Sequence, residues 1–131
     1  MTAVRISANI ELCRADLIFY KEGDEVPILD WLKKVSPKVQ DKCFAYLSQL
    51  EAKGHELRRP LADLLRDGIY ELRPSHQGVH YRILYFFSGK DVVVVSLGLK
   101  KEGEVPAVEI IRATERKRKF EANPQAHTFK R

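Results

Sequence analysis

The sequence predicts an α+β domain in which an N-terminal strand and a helix hairpin pack on a twisted antiparallel sheet, with a C-terminal helix. Three observations predict it. Apolar residues recur at spacings of three and four between Pro27 and Gly54, alternate with period two between Ile69 and Leu99, and return to a helical pattern after Pro106. With 131 residues, 44% hydrophobic and 31% charged, the chain has the size and composition of one globular domain able to bury a core without disulfide or metal staples. The domain is expected to cover 1–131, its core at about 16–120 and a frayed tail over 121–131. No internal repeat, low-complexity stretch or domain boundary interrupts it.

The first strand is Asp16-Leu17-Ile18-Phe19-Tyr20, short, apolar and aromatic, and ended by Gly23. Pro27 suits the first turn of a helix, where its missing N–H has no partner to lose, and Ile28, Trp31, Leu32 and Val35 then form one apolar stripe. Ser36-Pro37 supplies the N-cap and first-turn proline of a second helix, with Val39, Cys43, Tyr46, Leu47 and Leu50 on one face until Gly54 stops it. The two helices are expected to form the hairpin. After Arg58-Arg59-Pro60, Leu61, Leu64 and Leu65 have the spacing for one further helical turn.

From Ile69 the period is two. Ile69 to Arg73 places Tyr70 and Leu72 on one face and Glu71 and Arg73 on the other. Pro74 to Val79 reads as a connecting loop, His80 to Phe87 as the next strand, Ser88 to Asp91 as a tight turn and Val92 to Leu99 as the third member of a meander. Pro106 opens the last helix, where Val108, Ile111 and Ala113 are expected to pack inward while Arg112 and Arg116 to Lys119 crowd the far end. The helices are expected on one face of the sheet, in two layers.

No apolar stretch reaches the roughly 18 residues of a membrane helix, and Arg5, Glu11, Arg14 and Asp16 interrupt any signal-peptide core, so a cytoplasmic location is expected. Cys13 and Cys43 lack the spacing of a zinc site or a disulfide framework and read as reduced thiols, Cys43 in the core. The net charge is +5, but residues 1–65 carry ten Lys/Arg against ten Asp/Glu and residues 66–131 carry thirteen against eight. An excess confined to the second half points to a polyanionic partner, RNA before a membrane, beside the plainer reading of solubility.

The sequence has no phosphate-binding glycine loop, no HExxH, no CxxC and no Gly-x-Ser-x-Gly elbow, and no cofactor or metal is expected. The remaining chemistry-bearing set is Arg73, His76, His80, Arg82, Lys100 and Lys101, which the meander can bring to one end or face. Beside that stands a structural reading of Arg82 as the salt-bridge partner of Glu71 across the hairpin, of His80 as a structural histidine, and of Lys100-Lys101 as solvated cations on a sheet edge. Tyr70, Tyr81 and Tyr85 read as core or core-edge aromatics, and Trp31 as core.

Gly68-Ile69-Tyr70-Glu71-Leu72-Arg73, Tyr81-Arg82-Ile83-Leu84-Tyr85 and Leu97-Gly98-Leu99-Lys100-Lys101, followed by Pro106 and Glu109, resemble the RelE/ParE toxin superfamily, closest to its phage-derived HigB-like branch. The resemblance covers roughly residues 16–120, in order. It implies a RelE-like fold and a toxin of a type II toxin–antitoxin pair, a metal-independent endoribonuclease cutting mRNA in the ribosomal A site and neutralised by a DNA-binding helix-turn-helix antitoxin. ParE-like relatives poison DNA gyrase instead, and a non-catalytic RNA- or protein-binding module is possible on the same fold. The family's basic catalytic positions fall on Arg73, Arg82 and Lys101. Glu71 stands where RelE itself has a lysine, and the C-terminal tyrosine of RelE has no counterpart after Val105, so the resemblance leaves His76 or His80 for proton transfer. Lys100, Arg116 and Arg118 are expected to bind RNA phosphates, although a cationic run near a helix C-terminus also satisfies the macrodipole.

Such a set suits RNA cleavage by the strand's own 2′-hydroxyl. The reaction needs a base for that proton, an acid for the departing 5′-oxygen and cations for the doubly charged phosphorane. Arginine supplies the last, gripping phosphate oxygens bidentately.

Overall fold

The computed structural model describes residues 15–89, 91–94, 99–100 and 103–130. Cys13, residues 95–98 of the expected third meander strand, and Lys101 lie outside them. In chain order the elements are β1 (Asp16–Tyr20), α1 (Pro27–Leu32), α2 (Pro37–Lys53), β2 (Ala62–Arg66), β3 (Ile69–Leu72), β4 (Ser75–His76), β5 (Val79–Ser88), β6 (Asp91–Val94), β7 (Leu99–Lys100), α3 (Ala107–Ala122) and β8 (Thr128–Phe129), with 3₁₀ turns at Gly54–Glu56 and Pro124–His127.

The helix hairpin forms as its caps dictate. The Ser36 hydroxyl accepts the Val39 N–H at 3.3 Å, and Gly54, at φ 52°, ends α2 while donating its own N–H to the Leu50 carbonyl. Gln40 fixes the corner between the helices, its Nε2 donating to the Leu32 carbonyl at 2.7 Å and to that of Val35 at 3.3 Å. Leu32 is the last residue of α1, and Val35 directly precedes the N-cap of α2.

The strand order is β2-β3-β5-β6-β1-β8, with β4 and β7 also pairing β5. All pairs are antiparallel except β1 with β6, which run parallel from Asp16↔Asp91 to Phe19↔Val94. β1 thus enters the sheet beside β6 and lies between it and β8.

The expected helical turn at Leu61 to Leu65 is instead the edge strand β2. Asp67-Gly68 follows it with φ of 54° and 76°, a two-residue hairpin connection whose twist matches paired strands, so residues 62–66 fold back on β3 rather than coil. The expected Pro74 to Val79 loop is likewise shorter than read. β4 continues β3 in unchanged register against β5, and the reversal is made by Gln77-Gly78 alone, at φ 51° and 78°. Pro74 interrupts the ladder because it has no N–H, while its carbonyl still accepts the Tyr81 N–H at 2.8 Å. The strand expected from Val92 to Leu99 is described as two pieces, β6 and β7. Five steps from Val94 to Leu99 face three steps from Tyr85 to Arg82, which breaks the register.

β5 carries the core on both faces. Tyr81, Ile83 and Tyr85 join Phe19, Leu72 and the apolar stripes of α1 and α2, including fully buried Cys43, while Leu84 and Phe86 join Ile18, Tyr20, Ile69 and α3. The helices therefore lie on both faces, in three layers, not on one face as expected. α3 is also rotated from its expected setting. Ile110, Ala113 and Phe120 face the sheet, and Val108 and Ile111 are exposed at 58% and 53%, because Phe120 must reach Phe86, with ring centroids 5.6 Å apart.

The chain's end is not frayed over 124–130. β8 pairs with β1, and His127 stacks on Tyr20 at 5.1 Å and nearly parallel, its Nδ1 2.9 Å from the Lys21 carbonyl oxygen. Burial, followed by the hydrogen bond that Tyr20 donates to Glu22, pushes the Tyr20 hydroxyl up to about 12. No helix among the described residues is long and apolar enough to cross a membrane.

Candidate functional site

Glu71 and Arg82 point to the α3 side of the sheet, where a polar pair must be accommodated beside Leu84 and Phe86. Both are nearly enclosed, Glu71 at 4% and Arg82 at 5% exposure. Burying either charge alone would be costly, and each is compensated by the other. The Arg82 Nε stands 3.1 Å from Glu71 Oε1, and Arg73 Nη1 lies 2.5 Å from Glu71 Oε2. One carboxylate thus holds two arginines, one on each oxygen.

The two arginines differ in what they can reach. Arg82 donates from Nη1 to the Tyr81 carbonyl at 2.9 Å, and its Nε–H is close to Glu71 without being aligned as a hydrogen bond, so charge is what joins that pair. Burial, and then the neighbouring Arg73 charge, lower its pKa from the ordinary guanidinium value, while Glu71 opposes the shift. A guanidinium remains protonated under such shifts. Arg73 keeps 23% of its side chain exposed and presents the accessible part of the pair.

This group lines a cleft of about 680 Å³ between the sheet and the segment from Gly103 to Ile110. Arg59, Arg66 and His80 border it with Arg73 and Arg82, and Asp63, Glu71 and Glu104 supply the acids. Arg59 pairs with Asp63 at 2.9 Å on its rim. Among the described residues four arginines face three carboxylates, a mixed but net positive lining able to grip an anion at its open side while the interior stays fixed.

Among the residues expected to act, Arg73, Arg82 and His80 come together here. His76 does not. It lies at the hairpin tip and borders another cleft, beside α2, because Gln77-Gly78 turns the chain there and strand alternation sends the neighbouring side chains to the opposite face. Lys101 lies outside the described residues, and of Lys100 the structure describes the backbone, which pairs with Tyr81 next to Arg82. Arg116 sits on α3 with its guanidinium 5.6 Å from the Tyr20 ring centroid, and Arg118 is exposed on the same helix; neither borders the arginine cleft. Tyr85 is fully buried and Tyr81 nearly so, whereas Tyr70 and Trp31 are half-buried at the edge of the core.

Arg59 and Arg66 were not legible as site features, and Glu71 was read as the partner of Arg82 but not of Arg73. The signal for Arg66 was Asp67-Gly68, which marks a hairpin and so places Ala62 to Arg66 beside β3.

A twisted, largely antiparallel sheet with a helix hairpin, a C-terminal helix and an arginine-lined cleft defines an α+β protein consistent with the RelE-like fold. A model of the phage-derived Gp49-like protein family (DUF891) matches residues 30–118, and the chain belongs to that family. It is a RelE/toxin-like family, associated with the toxins of toxin–antitoxin systems, which points to a cognate antitoxin as partner. The match includes Arg59, Arg66, Glu71, Arg73, His80 and Arg82. No curated protein matches the chain.

Proposed function

We propose that the protein is the toxin of a type II toxin–antitoxin pair, of the HigB-like kind, and an endoribonuclease that cuts mRNA in the ribosomal A site. The observation that carries this reading is the Arg73–Glu71–Arg82 bridge inside a cleft that His80 borders. The accessible edge of Arg73 would hold the scissile phosphate and neutralise the charge that develops on it. Arg82, enclosed and tied to Glu71 and Tyr81, would contribute its field and fix the orientation of the pair. His80 would exchange the proton of the 2′-hydroxyl or of the departing 5′-oxygen. A helix-turn-helix antitoxin, cytoplasmic action, and Lys100, Lys101, Arg116 and Arg118 as further contacts to RNA belong to the same reading.

The test is expression of the free chain. Growth is expected to stop with cleaved transcripts, and Arg73→Ala together with Arg82→Ala is expected to abolish both. Growth arrest with intact mRNA would sink the nuclease, and double-stranded DNA breaks would instead mark gyrase poisoning. The enclosure of Arg82 favours a second reading, a module that binds RNA or protein without cutting; it predicts no toxicity and retained affinity.

A further inference from the structure

The outer side of α3 has the spacing of a helix–helix seam. Val108, Ile111, Glu115, Arg118 and Ala122 are all exposed and follow one another at intervals of three and four, so they form one stripe along the 16-residue helix, opposite Ile110, Ala113 and Phe120. The stripe is apolar at its start and cationic beyond. Val108 and Ile111 are exposed at 58% and 53%, and Arg112, Arg118 and Lys119 follow them, all exposed, against Glu115. Arg112 is paired with Glu109 at 3.1 Å and Lys119 with Glu22 at 2.8 Å, both across half-exposed contacts of the kind that a further carboxylate can share.

Among the described residues three large hydrophobic side chains are more than half exposed, and two of them are these neighbours on α3. Aliphatic residues scattered singly over a surface need no explanation, whereas two on one stripe, followed by cations, describe a complementary partner. RNA is a poor fit. A phosphodiester backbone gains nothing from Val108 and Ile111, and Glu115 in the middle of the stripe repels it. A second copy of the chain fits no better. Laid antiparallel it would set Ile111 against Arg118 and Glu115 against Glu115, and laid parallel it would set each charge against its own kind. The complement of the stripe is a helix that is aliphatic at one end and acidic along the rest.

We propose that this stripe is the docking surface of the antitoxin, which lays an acidic amphipathic helix along α3, its aliphatic residues over Val108 and Ile111 and its carboxylates over Arg112, Arg118 and Lys119; the inference rests on the toxin–antitoxin reading above. The position also bears on regulation. Ala107 and Ile110, each one residue before an exposed aliphatic, line the arginine cleft, so the docked helix stands on the outer side of the cleft's wall and not between the arginines. It takes Arg118 from RNA and narrows the approach to Arg73, while the Arg73–Glu71–Arg82 bridge stays as it is.

The experiment is calorimetric titration of the full chain with the purified product of the reading frame adjoining its gene. Val108→Asp/Ile111→Asp is expected to bind about a hundredfold more weakly than wild type. Arg118→Glu is expected to lose about tenfold at low salt, a difference that shrinks as salt is added. All three positions are in solvent, so both variants should melt within about 2 °C of wild type. Arg73→Ala is expected to bind the product as wild type does. If both α3 variants bind undiminished, or if Arg73→Ala is the one that fails, the surface is overturned and the toxin–antitoxin reading stands. Failure of the wild type to bind the product overturns that reading and the surface together. Sedimentation of the wild type as a dimer that Val108→Asp/Ile111→Asp disperses would make a second copy the occupant and overturn the antitoxin.

Discussion

Glu71 and Arg82 form a buried ion pair at 3.1 Å although the sheet register sets Glu71 opposite Leu84. The contact is diagonal across β3 and β5, two residues off the direct pairing, which only long side chains can span. Arg73 reaches the same carboxylate from its own strand. Removing the carboxylate therefore strands a buried guanidinium. Glu71→Ala is expected to lower stability by about 3 kcal/mol, read as a drop in urea midpoint, and Glu71→Gln by less because it keeps the volume and an acceptor oxygen. An unchanged midpoint for Glu71→Ala would show that the pair adds nothing to the fold.

Arg73 and Arg82 should separate in a paired measurement of cleavage and melting. Arg73→Ala leaves a half-exposed gap and is expected to slow mRNA cleavage about a hundredfold, about 3 kcal/mol of barrier, with little change in melting temperature. Arg82→Ala leaves Glu71 buried without its enclosed partner and is expected to lower activity and melting temperature together. Equal melting temperatures for the two variants would contradict their different burial.

The hairpin tip provides a stability test away from either arginine. Gly78 has φ of 78°, and no atom lies within 4 Å of where a Cβ would be, so Gly78→Ala meets backbone strain rather than a clash. A loss of about 1–2 kcal/mol is expected by thermal melting. Gln77→Asn, at φ 51°, should gain up to about 1 kcal/mol because asparagine tolerates the left-handed region and Asn-Gly is the preferred pair for this turn.

Burial pushes the Cys43 thiol up from its usual 9.0 to about 11. The folded state thus keeps a proton that the unfolded chain releases above about pH 9, so this residue's contribution to stability is complete below that pH and is lost as the pH rises toward 11. Thiolate is also scarce near neutrality. Alkylation at pH 8, followed by mass spectrometry of the Cys43 peptide, is expected to proceed only with unfolding, and rapid labelling of the native protein would refute the enclosure.

His127 holds the C-terminal segment against Tyr20 by ring stacking and by its contact with Lys21. His127→Ala is expected to cost about 1 kcal/mol and to make β8 amides exchange faster with solvent than those of β5. Unaltered exchange at Thr128 and Phe129 would show that strand pairing alone secures the end.

Local signals determined α1, α2, β1, β3 and β5. Ser36-Pro37 and Gly54 bound α2 wherever it packs, and a period of two needs no knowledge of the neighbours to separate Tyr70 and Leu72 from Glu71 and Arg73. The Glu71–Arg82 pair was also within reach, because opposite charges on adjacent strands have one economical arrangement when both are buried. The left-handed dipeptides were readable but weak. Asp67-Gly68 was overshadowed by the helical spacing of Leu61, Leu64 and Leu65, and glutamine before Gly78 hid the second turn.

The tertiary structure alone decided which face each element covers. α3 has apolar residues on more than one side, and it was the fit of Phe120 against Phe86 that turned Ile110 and Ala113 inward and left Val108 and Ile111 in solvent. The parallel pairing of β1 with β6 and the docking of β8 are contacts between residues distant in sequence, for which no local spacing carries information. The same holds for the cationic residues. The sequence supplied Arg73, His76, His80 and Arg82 as one set, and the alternation along β3 and β4, which carries His76 at an odd spacing from Arg73, divided them between two clefts, because side chains an odd number of strand residues apart point to opposite faces of a sheet.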